Sequence, residues 1–268
     1  TTNNGTLTVS KAVLAITANN TNRLYGAVNP AFTYTASGFV NGETASVLSG
    51  LPSLTTVATT NSPVGGYSII ATNGTLSATN YTFSFTDGTL TIGQATLVVT
   101  ADNTNRIYGA ANPTFTASYS GFVNGETEGV LSGSPSLTTT ATTGSCTGSY
   151  PITATNGTLS AANYSFSFAN GTLTVGPATL TVTADNQGKS YGTTLTLGAG
   201  QTTFTSSGLL NSDSVTSVTL ASTGASGGAA VGTYPIVPSA AVGSGLTNYS
   251  IIYSNGNLTV NFTTPVVT

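Results

Sequence analysis

The chain repeats itself. Tyr25, Tyr108 and Tyr191 stand 83 residues apart, each followed by glycine and preceded two places earlier by Arg23, Arg106 or Lys189. "NRLYGAVNP" (residues 22–30) returns as "NRIYGAANP" (105–113) and, worn down, as "GKSYGTT" (188–194). "GFVNGE" at 38–43 returns at 121–126 and, more loosely, as "GLLNSD" at 208–213. Asn80-Tyr81 returns as Asn163-Tyr164 and Asn248-Tyr249. A period of this length marks an array of small domains, each leaning on its neighbours. The boundaries read as 11–93, 94–176 and 177–260 for repeats 1 to 3. Residues 1–10 read as the last strand of a preceding repeat, and 261–268 as the start of a next repeat or an exchange strand. The third copy is slightly longer, with an insertion expected near residues 223–232.

Composition decides what each unit is made of. Charged residues are 4% of the chain, where an ordinary globular protein has about 25%. Thr, Ser, Asn and Gly fill the gap, yet 38% of the residues are hydrophobic, with 12 Tyr and 10 Phe. Such a chain buries real cores, unlike a disordered polar tract. Thr, Val, Ile, Tyr and Phe pack well on a pleated surface, and helix formers such as Glu, Lys, Arg and Met are scarce. An all-β protein follows.

Alternation places six strands in repeat 2, starting at Thr96, Thr114, Ser136, Tyr150, Tyr164 and Thr172. In "YSFSF", Tyr164, Phe166 and Phe168 share one face. Asn170-Gly171 then reads as a tight hairpin turn, with Asp87-Gly88 and Asn255-Gly256 in the same place. "GETASVL" (42–48) fits one helical turn burying Val47 and Leu48. The favoured architecture is a tandem array of three immunoglobulin-like β-sandwich repeats. β-grasp-like repeats are the alternative.

The ends carry strand fragments. Asn4, Gly5, Thr6, Leu7, Thr8 and Val9 spell "NGTLTV" and match "DGTLTI" at 87–92, so they are the last strand of a repeat whose body is elsewhere. A lone strand presents unpaired N–H and C=O groups, which joining a sheet satisfies. The array is therefore a window on a longer chain, or neighbouring molecules complete it by strand exchange. It begins at Thr1 without a signal peptide, as a mature form or an excerpt does. Consecutive repeats are joined only by Ser10-Lys11, Gly93-Gln94 and Gly176-Pro177. Two residues cannot act as a flexible coil, so a stacked rod is expected.

Chemistry is nearly excluded. There is no His and one Cys, so triads built on His and zinc sites are out. No cofactor, metal or catalytic residue is expected, and the chain is read as a non-enzyme. Glu126 and Glu128 are the only close acidic pair and read as loop charges. Asp102 and Asp185 in "ADN" read as turn initiators before calcium ligands. Repeats 1 and 2 lack an in-register Lys for isopeptide bonds. Asn-x-Thr/Ser sequons at Asn73, Asn80, Asn156, Asn163 and Asn170 read first as turns and strands, second as glycan acceptors. Four cations cannot neutralise a nucleic acid, and no apolar run approaches the ~20 residues of a membrane span. Cys146 is either a crosslink to another chain or an incidental thiol.

Each repeat keeps one cation and one anion in register. The expected pairs are Arg23–Glu43, Arg106–Glu126 and Lys189–Asp213, a structural reading set above that of a ligand site.

The order LTVTA-D-N, [KR]-x-Y-G, S-G-F-x-N-G-[DE], G-x-Y-P-I, N-Y-x-F-x-F and G-T-L-T-V resembles the bacterial surface repeats called MBG domains of the Tyr-Gly-x type. The type motif is Tyr25-Gly26-Ala27, Tyr108-Gly109-Ala110 and Tyr191-Gly192-Thr193. Repeat 3 departs by lacking the Asn-Pro of Asn29-Pro30 and Asn112-Pro113. The resemblance implies a secreted or cell-surface location and carries no catalytic residues over. The expected role is a structural segment of an extracellular fibre or filament, as a homopolymer or part of one long chain. The alternative is an adhesin stalk or a glycan- or host-surface-binding module.

Overall fold

The computed structural model describes residues 4–262. Repeat 1 holds β1 (Ala12–Ala18), β2 (Thr21–Leu24), β3 (Tyr34–Ser37), β4 (Ser53–Thr55), β5 (Gly65–Thr72), β6 (Tyr81–Thr86) and β7 (Gly88–Gly93). Repeat 2 holds the equivalent β8 (Ala95–Ala101), β9 (Thr104–Ile107), β10 (Ala117–Ser120), β11 (Ser136–Thr138), β12 (Gly148–Thr155), β13 (Tyr164–Ala169) and β14 (Gly171–Gly176). Repeat 3 holds β15 (Ala178–Ala184), β16 (Gln187–Ser190), β17 (Gly198–Gln201), β18 (Phe204–Ser207), β19 (Ser214–Ala221), β20 (Gly232–Ser244), β21 (Tyr249–Ser254) and β22 (Gly256–Asn261). The only helical pieces among the described residues are 3-10 turns at Ala45–Val47, Glu128–Val130 and Leu246–Asn248. The all-β tandem array therefore stands, and the β-grasp alternative, which needs a helix across a sheet, does not.

Each repeat has two sheets. In repeat 1 their orders are β3-β1-β6 and β2-β7-β5-β4, with β1/β6 and β2/β7 parallel and the rest antiparallel. β1 and β2 are one extended segment that breaks at Asn19-Asn20 and changes sheet. The break is held by Asn19 N donating to Thr33 O at 2.8 Å and Thr89 N donating to Asn20 Oδ1 at 2.8 Å. Strict alternation then does the packing: in β8, Ala95, Leu97, Val99 and Ala101 point inward while Thr96 and Val98 point out.

Three expectations need correction. The segment carrying the Arg-x-Tyr motif is itself a strand (β2, β9), making seven strands in repeat 2, as in repeat 1, where six were expected; at four residues it is too short to show alternation. Asn170-Gly171 is not a hairpin, because β13 pairs with β8 and β14 with β9 and β12, so the chain changes sheet there. Gly171 is required by proximity instead: a Cβ would lie 2.4 Å from Ala101 O. The extra length of repeat 3 falls between Tyr191 and Asp213, where it forms β17 against β19, rather than near residues 223–232. The helical turn after "NGE" is present in repeat 1 as Ala45–Val47, with Val47 and Leu48 half-buried.

The chain resolves into two compact units that do not follow the repeat boundaries. One joins repeat 1 to the first sheet of repeat 2; the other joins the second sheet of repeat 2 to repeat 3. The core of the first unit runs through Tyr25, Ile69, Leu90 and Ile92 of repeat 1 and continues into Ala95, Leu97 and Tyr164 of repeat 2. Apolar packing is thus shared across the boundary between repeats.

Residues 4–10 form no regular structure, and Leu7 and Val9 are 88% and 85% exposed. The expected terminal strand at 261–268 lies mostly outside the described residues; β22 ends at Asn261.

Candidate functional site: the joint between repeats

The recurring "F-V-N-G-E" loop is a tight turn that aims a carboxylate. Asn41 and Gly42 have φ of +56° and +72°, and Glu43 N donates to Val40 O at 3.1 Å, closing the turn. Both central residues in the left-handed region are what Asn-Gly supplies at least cost. Asn124-Gly125 repeats this geometry before Glu126, and Asn211-Ser212 before Asp213. A tyrosine at the start of the next-to-last strand ties the turn down. Tyr164 Oη accepts from Val123 N at 3.1 Å and donates to Glu126 Oε2 at 2.5 Å. Tyr249 Oη accepts from Leu210 N at 2.8 Å and donates to Asp213 Oδ2 at 2.9 Å. Tyr81 does the same with Val40 and Glu43.

The carboxylate's second partner comes from the preceding repeat. Tyr25 Oη donates to Glu126 Oε1 at 2.8 Å, and Tyr108 Oη donates to Asp213 Oδ2 at 2.9 Å. The paired rings meet edge to face: Tyr25 on Tyr164 at 5.6 Å and 84°, Tyr108 on Tyr249 at 5.5 Å and 81°. Such pairs add attraction beyond their buried area. The residue ahead of the Asn packs on the Tyr-Gly glycine: a Cβ on Gly26 would lie 2.4 Å from Val123 Cγ2, and one on Gly109 2.5 Å from Leu210 Cδ1. Two further bonds flank the contact. Asn124 Nδ2 donates to Thr60 O and Asn211 Nδ2 to Thr143 O, each at 3.2 Å. Val64 N donates to Asn163 Oδ1 at 3.1 Å and Thr147 N to Asn248 Oδ1 at 2.9 Å.

Exposure shows what the joint does for its tyrosine. Tyr25 and Tyr108 are 5% and 3% exposed, whereas Tyr191 is 48% exposed. For a side chain of roughly 200 Å² that difference is about 90 Å², worth on the order of 2 kcal/mol. The environment also raises the pKa of the Tyr81, Tyr108, Tyr164 and Tyr249 phenols above the usual 10.0. For Tyr164 and Tyr249, burial is the main cause, reinforced by hydrogen bonds to Glu126 and Asp213. For Tyr81 it is the hydrogen bond to Glu43. For Tyr108, a hydrogen bond with Asn211 pulls down, but burial and Asp213 outweigh it.

The cations lie elsewhere, so the expected Arg23–Glu43, Arg106–Glu126 and Lys189–Asp213 pairs are not formed. Arg23 is buried, and its Nε, Nη1 and Nη2 donate to Asn29 Oδ1 (2.7 Å), Leu24 O (3.0 Å) and Thr59 O (2.5 Å). Arg106 binds Asn112 Oδ1 (2.7 Å), Ile107 O (3.1 Å) and Thr142 O. Lys189 Nζ donates to Thr193 O (2.8 Å) and Ser226 O (2.5 Å). The cation staples two loops of its own repeat through neutral acceptors, while the anion faces the phenols. The Asn of each Asn-Pro completes the staple, with Asn29 Nδ2 reaching Ala58 O and Asn112 Nδ2 reaching Ala141 O, both at 2.7 Å. Repeat 3 has Lys in place of Arg and lacks that Asn, a covariation visible in the sequence that would have revealed the true partner.

Glu126 is engaged with two phenols while Glu128 opens a 3-10 turn. Asp102 accepts from Thr116 Oγ1, fourteen residues further along the chain, at 2.7 Å. Asn73 and Asn156 hold turns through Leu76 O and Leu159 O at 3.0 Å each. Cys146 is an exposed free thiol, 3.7 Å from Asn248 Nδ2. Among the described residues no cluster of His, Cys, Asp or Glu is arranged to hold a metal ion, and no helix is long and apolar enough to cross a membrane.

Comparison with curated proteins gives no match. Among solved structures, the crystal structure of the I9-I11 tandem from titin is similar at 12% identity, covering 93% of this chain and all of that one, with a TM-score of 0.25. The family model described as MBG domain (YGX type) matches three times, at residues 14–91, 97–174 and 180–259, each match holding one Tyr-Gly and one turn carboxylate. The chain belongs to the MBG domain family of the YGX type.

Proposed function

We propose that this chain is a structural segment of an extracellular bacterial surface fibre or filament, whose work is mechanical. One observation carries the reading: the residues that define the family type, Tyr25-Gly26 and Tyr108-Gly109, are consumed in joining one repeat to the next. A joint made of buried rings, a shared core and short linkers resists bending in a way a flexible coil does not. A binding module would instead present its recurring aromatics to a ligand, and here Tyr25 and Tyr108 are buried. The low charge of the surface favours lateral association of such segments. Electron microscopy of native material at the cell surface and after purification tests the reading. Continuous filaments beaded at the repeat spacing are expected. Isolated three-bead particles, unassembled at every concentration, would overturn it.

A further inference from the structure

In every repeat, the segment that enters and the segment that leaves run side by side in the same direction. In repeat 1, β1 pairs with β6 from Ala12 opposite Tyr81 to Thr17 opposite Thr86, and β2 pairs with β7 from Thr21 opposite Leu90 to Leu24 opposite Gly93. Both registers carry one offset, 69 residues, so the ladder keeps its phase while the chain changes sheet at Asn19-Asn20 and at Asp87. Asn20 bridges the gap, since its Oδ1 accepts from Thr89 N, again 69 residues away. Repeat 2 has the same offset in β8/β13 and β9/β14, with Asn103 Oδ1 accepting from Thr172 N at 2.7 Å. In repeat 3 the offset is 71 throughout, in β15/β21, in β16/β22 and in the 2.8 Å bond from Asn257 N to Asn186 Oδ1. The added length of repeat 3 lies between Tyr191 and Asp213, outside both segments, and leaves their match intact.

The common direction of the two segments decides how a pull acts on them. A repeat is drawn backwards at Ala12, where the chain enters β1, and forwards at Gly93, where it leaves β7. Parallel neighbours pulled from opposite ends slide along each other, so the evenly spaced hydrogen bonds between them stretch together and must yield together. A hairpin pulled at its two ends opens one bond at a time. The ladder of repeat 1 runs on by one bond at each end: Ala12 N donates to Asn80 O at 3.0 Å, and Tyr25 N to Gly93 O at 2.8 Å. Hydroxyls on the outward face add to it, Thr82 Oγ1 donating to Ala12 O at 3.3 Å and Ser84 Oγ to Leu14 O at 3.5 Å. On the inward face, Leu14, Ile16 and Leu90 are 0% exposed and Ile92 1%, so water cannot replace a strained bond from that side.

We propose that each repeat is a clamp against tension, in which the entering and leaving segments carry a pull in shear and Asn20, Asn103 and Asn186 join the ladders of the two sheets. The inference deepens the fibre reading and rests on it for its biological setting, since resistance to pulling matters in a segment held at both ends. Repeat 2, with a neighbour on each side, is paired alike, so the clamp belongs to the repeat itself.

The test is single-molecule force spectroscopy on the full 268-residue chain carrying Cys146→Ser, pulled in two directions. In one, the handles sit at the chain ends. In the other they sit on Lys11→Cys and Asn80→Cys, exposed positions at the start of the two segments, so the pull parts the same ladder from one end. Forced rupture follows the barrier to unfolding and not the equilibrium stability. The unzipping pull should therefore rupture at several-fold lower force than the end-to-end pull. Asn20→Ala should move one end-to-end rupture event to lower force. Asn73→Ala, which loses a turn bond to Leu76 O outside the two segments, should lower urea stability and leave the rupture forces unchanged. Equal forces in the two directions, or rupture forces untouched by Asn20→Ala, overturn the proposal. Continuous filaments in native material together with equal forces would sink the clamp alone. Strongly directional rupture in a chain whose native form is isolated three-bead particles would uphold the clamp and overturn the fibre reading.

Discussion

Replacing Tyr25 by Phe removes one oxygen from the joint and leaves nearly everything else. The ring that stacks edge to face on Tyr164 at 5.6 Å remains, as does the contact of Gly26 with Val123. What goes is the 2.8 Å bond to Glu126, whose other oxygen keeps Tyr164. A hydrogen bond to a charged acceptor contributes about 1.5–3 kcal/mol net, and a carboxylate left half-partnered sits at the upper end of that range. The expected cost is therefore about 2–3 kcal/mol, located in the coupling between repeats 1 and 2 rather than in either repeat's own stability. Urea unfolding followed by tyrosine fluorescence and far-ultraviolet circular dichroism, fitted with nearest-neighbour coupling between repeats, separates the two. Tyr108→Phe should behave alike at the next joint. Tyr191→Phe is the built-in control: its phenol has no hydrogen bond among the described residues, so it should cost less than about 0.5 kcal/mol. A double-mutant cycle of Tyr25→Phe with Glu126→Gln should return a coupling of at least about 1 kcal/mol. Equal effects at positions 25, 108 and 191, or a coupling near zero, would refute the view that the Tyr-Gly motif is a joint.

Three further outcomes follow from the same geometry. Asn112→Ala strips the buried Arg106 Nε of its acceptor and Ala141 O of its donor, and should destabilise repeat 2 by about 2–4 kcal/mol in urea; a loss below about 1 kcal/mol contradicts the staple. Gly26→Ala meets both a positive φ of +81° and Val123 Cγ2 at 2.4 Å, whereas Gly192→Ala meets only a φ of +88°. The first should lower stability by about 2–4 kcal/mol and the second by about 1–2 kcal/mol, measured by thermal unfolding. Tyr81, Tyr164 and Tyr249 have folded pKa values raised above 10.0. That stabilisation is complete below pH 10 and is lost as pH climbs through the folded values. With no His in the chain, the melting temperature should hold steady from about pH 6 to 9 and fall above about pH 10.5; a drop inside the plateau would contradict the assignment.

The sequence disclosed the fold class and the repeats because both rest on periodicity, which a single chain displays many times over. It also exposed the partners of the joint, since Asn-Tyr, Tyr-Gly and the turn carboxylate all recur in register. It did not disclose who touches whom. Opposite charges at matched positions suggest a pair, but Arg23 and Glu43 lie on elements that serve different boundaries. The cation closes its own repeat, whereas the anion of the next position, Glu126, receives Tyr25 from the repeat before it. A contact between repeat n and repeat n+1 has the same recurrence as a contact within repeat n, so spacing alone cannot tell them apart. The same degeneracy hid the sheet change at Asn170-Gly171, where a turn composition that fits a hairpin serves a crossing.

The placement of tyrosine and carboxylate on opposite faces of the joint has a consequence for how such a chain grows. Each repeat carries both what it gives and what it needs: the Tyr-Gly for its successor and the turn carboxylate for its predecessor. A duplicated repeat spliced in at the two-residue linker therefore meets a complementary face on each side without any compensating substitution. Repeat 3 shows the tolerance of the arrangement, for Asp213 follows a lengthened connection and a Ser in place of Gly, yet receives Tyr108 at 2.9 Å. Array length is thereby uncoupled from sequence change, and a lineage of such genes can lengthen or shorten its product by recombination while every boundary remains bonded.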